Sequence, residues 1–498
     1  MNFLQNGGAD TPVLVAIAFY FVGLFYLSFR SFKKSKTFSD FILGGRNLNA
    51  VTGAMNVGAA DMSSWLLMGL PGMFYILGLN QIWIVFGLIL SSYASWKILA
   101  PRLRKYSEIA GNSLTIASFL QNRFNDKSGI LSGITTIIIL FFSTFYIASG
   151  FAASAKLLAA ILHISYLNSL IISCLVIISY ASIGGFLAVS WVNLLQGGLM
   201  LFALLITPIV AICTSDFSLS HFFRTVYHQV PAYFNPLRNL TFSATLGILS
   251  WGLGYFGQPH VISKYMAIKD VKQINLARKI CICWMAVAMI AAAICGLLGF
   301  AYFYKIPQAE TIFVAMSFAI FHPFLVGILV AVIMVAIMTT LNSQIIVCCG
   351  LLSENFYHRF IRKNASSPEM LLVTRLGLVV IAAIAFAMAY DSSSNVLRLV
   401  SHAWAGLGAA IGPVILFALF WQKTTKKAAI IGIVSGALGA IIFSEIHLFP
   451  YEIFPAFLLS SLLILVVSLL DKKQIPASVV DDFVKLKSQL AINSCRSQ

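Results

Sequence analysis

Asp61 sits near the middle of an apolar stretch, Asn49 to Gly72, with no Lys or Arg within a helical turn of it. An ionised carboxylate at the centre of a bilayer costs about 2.5–3.5 kcal/mol on insertion scales. It persists where a partner, a cation or a water-filled cavity compensates it. Gly53, Gly58, Ser63 and Ser64 surround it, and glycine lets a helical backbone open. Carboxylate, hydroxyls and freed carbonyls together make a hard oxygen environment, which suits an alkali cation. The competing reading is a protonated carboxyl bonded to a neighbouring helix, but carboxylates inside membranes are functional by default.

A second irregular segment reads Trp251-Gly-Leu-Gly-Tyr255-Phe-Gly257-Gln-Pro259-His260. Its Gly and Pro content does not sustain regular helical bonding, and irregular backbone at membrane depth is tolerated only where it lines a cavity or is buried in protein. Trp251, Tyr255 and Pro259 stand at i, i+4 and i+8 and line one side if helical geometry holds there. A third segment, Ala336-Ile-Met338-Thr339-Thr340-Leu-Asn342-Ser343, carries hydroxyls that in most membrane helices bond back to their own backbone. Beside Asp61 they acquire a second use.

The elements that position these residues follow from composition. Of 498 residues, 59% are hydrophobic and 10% charged, against about 25% charged in a soluble domain. Repeated apolar stretches of about 20 residues are the length a bilayer requires. Thirteen spans are expected: 11–30, 49–77, 80–98, 129–160, 166–184, 188–213, 241–265, 279–303, 323–352, 370–390, 395–421, 426–445 and 452–470, with ends set to within several residues. The two irregular segments fall in the second and seventh. That spacing matches spans two to six and seven to eleven as inverted repeats.

The net charge of +17 does not point to nucleic acid, because the basic residues fall in short loops. Arg30, Lys33, Lys34, Lys36 and Arg46, the group from Lys97 to Lys127, then Lys264, Lys269 and Lys272, and later Arg359 to Lys363 and Lys423 to Lys427 all lie on one side if spans alternate. The positive-inside bias makes that side cytoplasmic, with the N-terminus outside and the C-terminus inside. Basic residues follow the first apolar stretch, the reverse of a signal peptide, so this helix is expected to stay. The eight cysteines read as small core residues with no metal-ligand spacing. Gly111 to Phe124 suits a helix lying on the inner interface. The outer segment 214–239 is long enough to fold over a mouth, and Val479 to Leu490 has the pattern of a surface helix.

At these segments the chain resembles the sodium:solute symporter family, and within it the bacterial members that carry proline. The likeness rests on Ile42-Leu-Gly-Gly-Arg46, Gly58 to Gly72, Gly184 to Trp191, Trp251 to His260, Met338 to Leu341 and Ser401 to Gly406, in register from about residue 10 to 470. It implies an all-α polytopic protein of leucine-transporter type. A five-plus-five inverted-repeat core (49–213 and 241–421) has broken helices 2 and 7, with extra spans at 11–30, 426–445 and 452–470. One transmembrane domain, 1–470, is followed by a cytoplasmic tail, 471–498. The resemblance implies a sodium site of backbone carbonyls from Ala59, Met62 and Ala336 with the hydroxyls of Thr339 and Thr340. Asp61 serves sodium-dependent binding; Ser63, Trp65, Tyr146, Trp251, Tyr255 and Pro259 shape a proline pocket; Arg46 at the inner mouth influences coupling. Asn193 departs from the family, which usually has an acid there.

The function expected is sodium-coupled uptake of proline across a bacterial inner membrane by alternating access. The rivals are a symporter for another small solute, such as pantothenate or another carboxylate, and coupling to protons through Asp61. A sensor would need a soluble module longer than the segment after Leu470. An enzyme would need a catalytic set at one depth, and neither paired carboxylates nor a Ser/His/Asp group provides one.

Overall fold

Caps and left-handed residues set most helix ends in the computed structural model, which describes residues 11–32, 37–214, 218–238, 240–391, 396–446, 451–471 and 475–495. The expected basic residues Lys33, Lys34 and Lys36 lie outside the described residues. After α1 (Thr11–Phe32), α2 (Phe38–Leu43) starts on a capping box in which Thr37 and Asp40 bond reciprocally. Gly44, Gly45 and Arg46 then turn through positive φ. Asn49 caps α3 (Ala50–Ser64) by accepting from Thr52 N–H. There follow α4 (Leu70–Leu77), α5 (Ile82–Ala94), α6 (Ala100–Ile109) and α7 (Ile116–Arg123). The long helices α8 (Ile130–Leu162) and α9 (Tyr166–Cys213) come next, then α10 (Leu219–Gln229), α11 (Phe242–Ser250) and α12 (Pro259–Ala267). The chain continues through α13 (Val271–Tyr302), α14 (Ile312–Ile320), α15 (Pro323–Gly350), α16 (Ser367–Met388), α17 (Val396–Phe420), α18 (Lys426–Ile446), α19 (Ile453–Leu470) and α20 (Ala477–Cys495).

Among the described residues, nine helices are long and apolar enough to cross a membrane. The expected boundaries at 77–80 and 184–188 coincide with departures from helical geometry, at Gly78 (φ 76°) and Gly185 (φ 55°). The segments 166–184 and 188–213 join in α9 across Gly185, whose φ of 55° makes the turn. The stretch 241–265 is cut into pieces too short to count. Helices also run beyond the apolar windows. Asp270 caps α13 two turns before the predicted start, so Arg278 and Lys279 are helical. Phe19, Ile137, Leu175, Leu376 and Leu469 are each more than half exposed, as an apolar solvent permits and water does not.

At the centre stands α15, buried without interruption from Leu329 to Ile346. It packs against α1, α3, α8 and α9. Arg46, Arg104 and Arg123 gather at one end of the bundle. There α7 packs its apolar face into the protein: Ile116, Phe119 and Leu120 are buried, and so is Arg123. The predicted start at Gly111 shifts because Gly111 and Asn112 turn through positive φ. The tail helix α20 docks here, burying Val479, Phe483 and Leu486. The Arg123 guanidinium lies 4.6 Å from the Phe483 ring centre, a cation–π contact.

Asp126 pins the same end. It accepts from Ser128 N–H at 3.0 Å, Leu131 N–H at 2.9 Å and Lys426 Nζ at 3.0 Å. Burial pushes its carboxyl up, but these donors outweigh it and hold the group at about 2. A pKa depressed on folding contributes stability above the unfolded value of about 3.9, lost as pH falls through the folded one. Asp126→Asn is therefore expected to lower the thermal unfolding midpoint at pH 7. The gap from wild type should narrow between about pH 4 and pH 2, as followed by differential scanning fluorimetry in detergent.

The opposite end is covered by the segment 218–238. Tyr233 accepts at its carbonyl from Leu79 N–H (2.8 Å), and its hydroxyl donates to the Phe74 and Tyr75 carbonyls at 2.8 and 3.0 Å. Trp83 Nε1–H donates to Pro236 O at 2.9 Å. The loop thus sits on the α4–α5 turn.

Candidate functional site

The helix carrying Asp61 breaks two residues beyond it, at Ser63 (φ 36°, ψ −151°). A wider π turn, Trp65–Gly69, leads into α4. The break falls on the serine and not on the nearby glycines. Gly58 stays helical, and a Cβ there would lie 3.1 Å from the Trp284 ring, so its role is close packing. The second irregular segment is also interrupted. Residues Trp251–Phe256 form a 3-10 turn, Gln258 is extended, and Pro259 starts α12. Three residues per turn place Trp251 and Tyr255 on different sides, so the i, i+4, i+8 stripe expected from regular helix does not form.

The two breaks meet at one carboxylate. Tyr255 OH donates to Asp61 Oδ2 at 2.6 Å, and His260 Nε2 lies 3.4 Å from Asp61 Oδ1. Asp61 is 7% exposed. Groups released by the second break find new partners, as burial demands. Ser95 Oγ–H donates to Tyr255 O at 3.1 Å, and Trp404 Nε1–H to Trp251 O at 2.8 Å. Gln258 Nε2–H donates to Trp404 O at 2.9 Å. Gly254 is required for this closeness, since a Cβ would fall 2.3 Å from the Trp404 ring.

Oxygen atoms from α15 reach the first break. Thr340 Oγ1–H donates to Ala60 O at 2.6 Å and stands 3.3 Å from Ala336 O, while Thr339 Oγ1–H donates to Ala336 O at 3.0 Å. Ala59, Met62 and Ala336 are buried, and Met62 O accepts from Trp65 N–H. The Thr340 hydroxyl thus lies between a carbonyl of α3, Ala60 O, and one of its own helix, Ala336 O. Rotation of the two threonine hydroxyls would present their lone pairs to a cation.

Of the other expected residues, Tyr146 is buried with its ring centre 5.9 Å from that of His260. Among the described residues, Trp65 Nε1–H has no hydrogen-bond partner. Trp251 packs edge-on against Tyr451, with ring centres 4.5 Å apart. Arg46 lies elsewhere, at the arginine-rich end. It donates to Ser107 Oγ (3.0 Å), Met266 O (3.0 Å) and Ser113 O (2.6 Å). Burial and the neighbouring Arg104 push its guanidinium down to about 10. Beside it, Leu48 N–H donates to Ala267 O at 3.1 Å and Lys269 N–H to Leu48 O at 2.9 Å. Arg104 donates to the Ile268 and Lys269 carbonyls.

Sequence reasoning gives His260 no role, although its ring bridges Asp61 and Gln344, the latter at 2.9 Å. It also counts Lys264 among loop charges. Lys264 is instead 3% exposed within α12, where its ammonium finds acceptors on α3 and α15.

The description "Sodium:solute symporter family" matches residues 41–436. This chain belongs to the sodium:solute symporter family. It is 40% identical over 472 residues to the "Sodium/proline symporter" of Escherichia coli (strain K12), covering 93% of this chain and 94% of that one. It is also 40% identical over 471 residues to the "High-affinity proline transporter PutP" of Bacillus subtilis (strain 168), covering 92% and 97%. Among solved structures, an outward-open, substrate-bound Na+-coupled sialic acid symporter superposes with a TM-score of 0.79 at 16% identity, covering 93% of this chain and 98% of that one. MhsT with L-phenylalanine gives 0.53 at 13% identity, covering 84% and 97%. These likenesses establish the fold. The symporter is a multi-pass, all-helical membrane protein that moves a solute with sodium, and not an enzyme.

Proposed function

We propose that this symporter carries proline into the cell, driven by sodium, through alternating access. The observation that carries the reading is the single carboxylate shared by two broken helices. Asp61 is bonded to Tyr255, and Thr340 joins Ala60 one residue before it. Sodium binds between α3 and α15, at the carbonyls of Ala59, Met62 and Ala336 and the hydroxyls of Thr339 and Thr340. It stabilises the state in which Ser63, Trp65, Tyr146, Trp251, Tyr255 and Pro259 form the proline pocket. Half-helix ends at the breaks supply polar partners for a zwitterion, and the aromatic groups supply a wall for its ring. Relatives named for proline at 40% identity support the solute.

In this reading the chain comprises thirteen spans, with repeats at 49–213 and 241–421. The arginine-rich end faces the cytoplasm of a bacterial inner membrane, and the N-terminus lies outside. The seam of Arg46, Arg104, Leu48 and residues 266–269 is then the closed inner gate, and in this reading Arg46 acts in coupling. Each ligand favours the other's binding reciprocally. The driving force includes about 2.3 kcal/mol per charge per 100 mV.

The test is uptake of labelled proline into proteoliposomes with and without an inward sodium gradient, with choline replacing sodium at several pH values. Sodium-dependent accumulation is expected. Accumulation that follows the proton gradient alone would transfer the coupling to Asp61 protonation. No proline uptake, with uptake of another small carboxylate, would replace the solute.

A further inference from the structure

Apart from Asp61, Lys264 is the charged side chain buried beside the broken helices, and the transport reading leaves it without a task. Its ammonium donates to Asn56 O at 2.8 Å and Ser343 Oγ at 3.2 Å. Both are neutral acceptors, and an ammonium carries three donors. Among the described residues, no carboxylate forms an ion pair with it. A buried charge whose hydrogen-bond acceptors are both neutral, with Asp61 acting on it only at a distance, is costly, and a methionine would fill the same volume without that cost. The energetics therefore favour an anionic visitor.

The surroundings show where it would come from. Lys264 and His260 line a cavity that continues to Leu114 and Thr115 at the arginine-rich end. The two residues are i and i+4 on α12, one turn or about 5.4 Å apart along the axis. His260 marks the Asp61 level, so Lys264 stands one turn closer to the proposed cytoplasmic mouth. The rest of the wall is largely apolar, including Ile139, Phe186 and Val189. It thus strengthens a single charge pair. The cavity measures about 20 Å³, roughly the room of one water, so docking accompanies opening of that end.

We infer that Lys264 is a second, inner binding station for the carboxylate group of a small amino or carboxylic acid, occupied between the Asp61 level and the cytoplasm. The inference rests on the transport reading for its direction, but not on proline as the solute. A zwitterion leaving the centre meets the Lys264 ammonium with its carboxylate one turn further in. The same station gives a cytoplasmic carboxylate a foothold from inside.

The test uses the full chain in detergent without sodium, with Leu114→Cys as reporter and Cys213→Ser, Cys283→Ser and Cys495→Ser removing competing thiols. Maleimide labelling is followed against graded proline, acetate and prolinamide. Proline and acetate are expected to slow labelling, and prolinamide, which lacks the carboxylate, is not. Lys264→Gln should raise the protecting concentration at least about tenfold, the worth of a modest charge pair. Lys264→Arg should retain protection, and both variants should elute as monodisperse protein. Protection by acetate without protection by proline supports the station and counts against proline as solute. Equal protection by prolinamide, undiminished protection in Lys264→Gln, or no protection by any carboxylate overturns the inference.

Discussion

Sodium-driven proline uptake is expected to fall about 100-fold in Asp61→Asn, with membrane insertion intact. The carboxylate accepts from Tyr255 and faces His260, so it ties the two broken helices together at one point. The amide is nearly isosteric but carries no charge, and one of its ends donates where both carboxylate oxygens accept. Hydrogen bonds to charged groups contribute about 1.5–3 kcal/mol, and 1.4 kcal/mol is a factor of ten, so losing one gives roughly 10- to 150-fold. The loss of charge beside a sodium path places the effect toward the upper end. Initial rates in proteoliposomes at matched protein content provide the measurement. Wild-type uptake by Asp61→Asn would remove this residue from the mechanism. Asp61→Glu keeps the charge and is expected to recover part of the rate.

Thr340→Val is expected to raise the half-saturating sodium concentration about tenfold. The Thr340 hydroxyl crosses from α15 to Ala60 O, and valine leaves that buried carbonyl without its donor, at about 1–3 kcal/mol. It also deletes one oxygen from the proposed cation site. The Thr339 hydroxyl bonds to Ala336 O within its own helix, and such back-bonds contribute little to stability. Thr339→Val therefore isolates the ligand role from the structural one: a large rise in half-saturating sodium there reports coordination alone. By linkage, the proline requirement at low sodium should rise in Thr340→Val and return toward normal at saturating sodium. An unchanged sodium requirement in both variants would move the cation site away from these hydroxyls.

Asp61 is legible in the sequence because an isolated acid in apolar surroundings needs compensation whatever the fold. The second break is legible because glycine and proline density is a local property. The position of the first break is not. Its positive φ belongs to Ser63 while Gly58 remains helical, since tertiary contacts and not intrinsic freedom decide where the backbone turns. The pairing of Asp61 with Tyr255 spans 194 residues, beyond the reach of any spacing argument. Lys264 escapes the sequence reading for a related reason. Hydropathy treats lysine as the mark of a loop, whereas here a carbonyl and a hydroxyl from two other helices accept its protons. Span boundaries drift where capped polar turns, as before α13, prolong helices past their apolar windows.

The Leu48 strand contact with residues 267–269 has a bearing on evolutionary drift. Main-chain bonds are indifferent to the side chains on either strand, so ordinary substitutions at Leu48, Ala267 or Lys269 leave this pair of bonds available. Only an imino acid deletes a donor: Leu48→Pro removes the first bond and Lys269→Pro the second. This main-chain contact can thus be inherited through wide sequence divergence, whatever side chains the two segments carry.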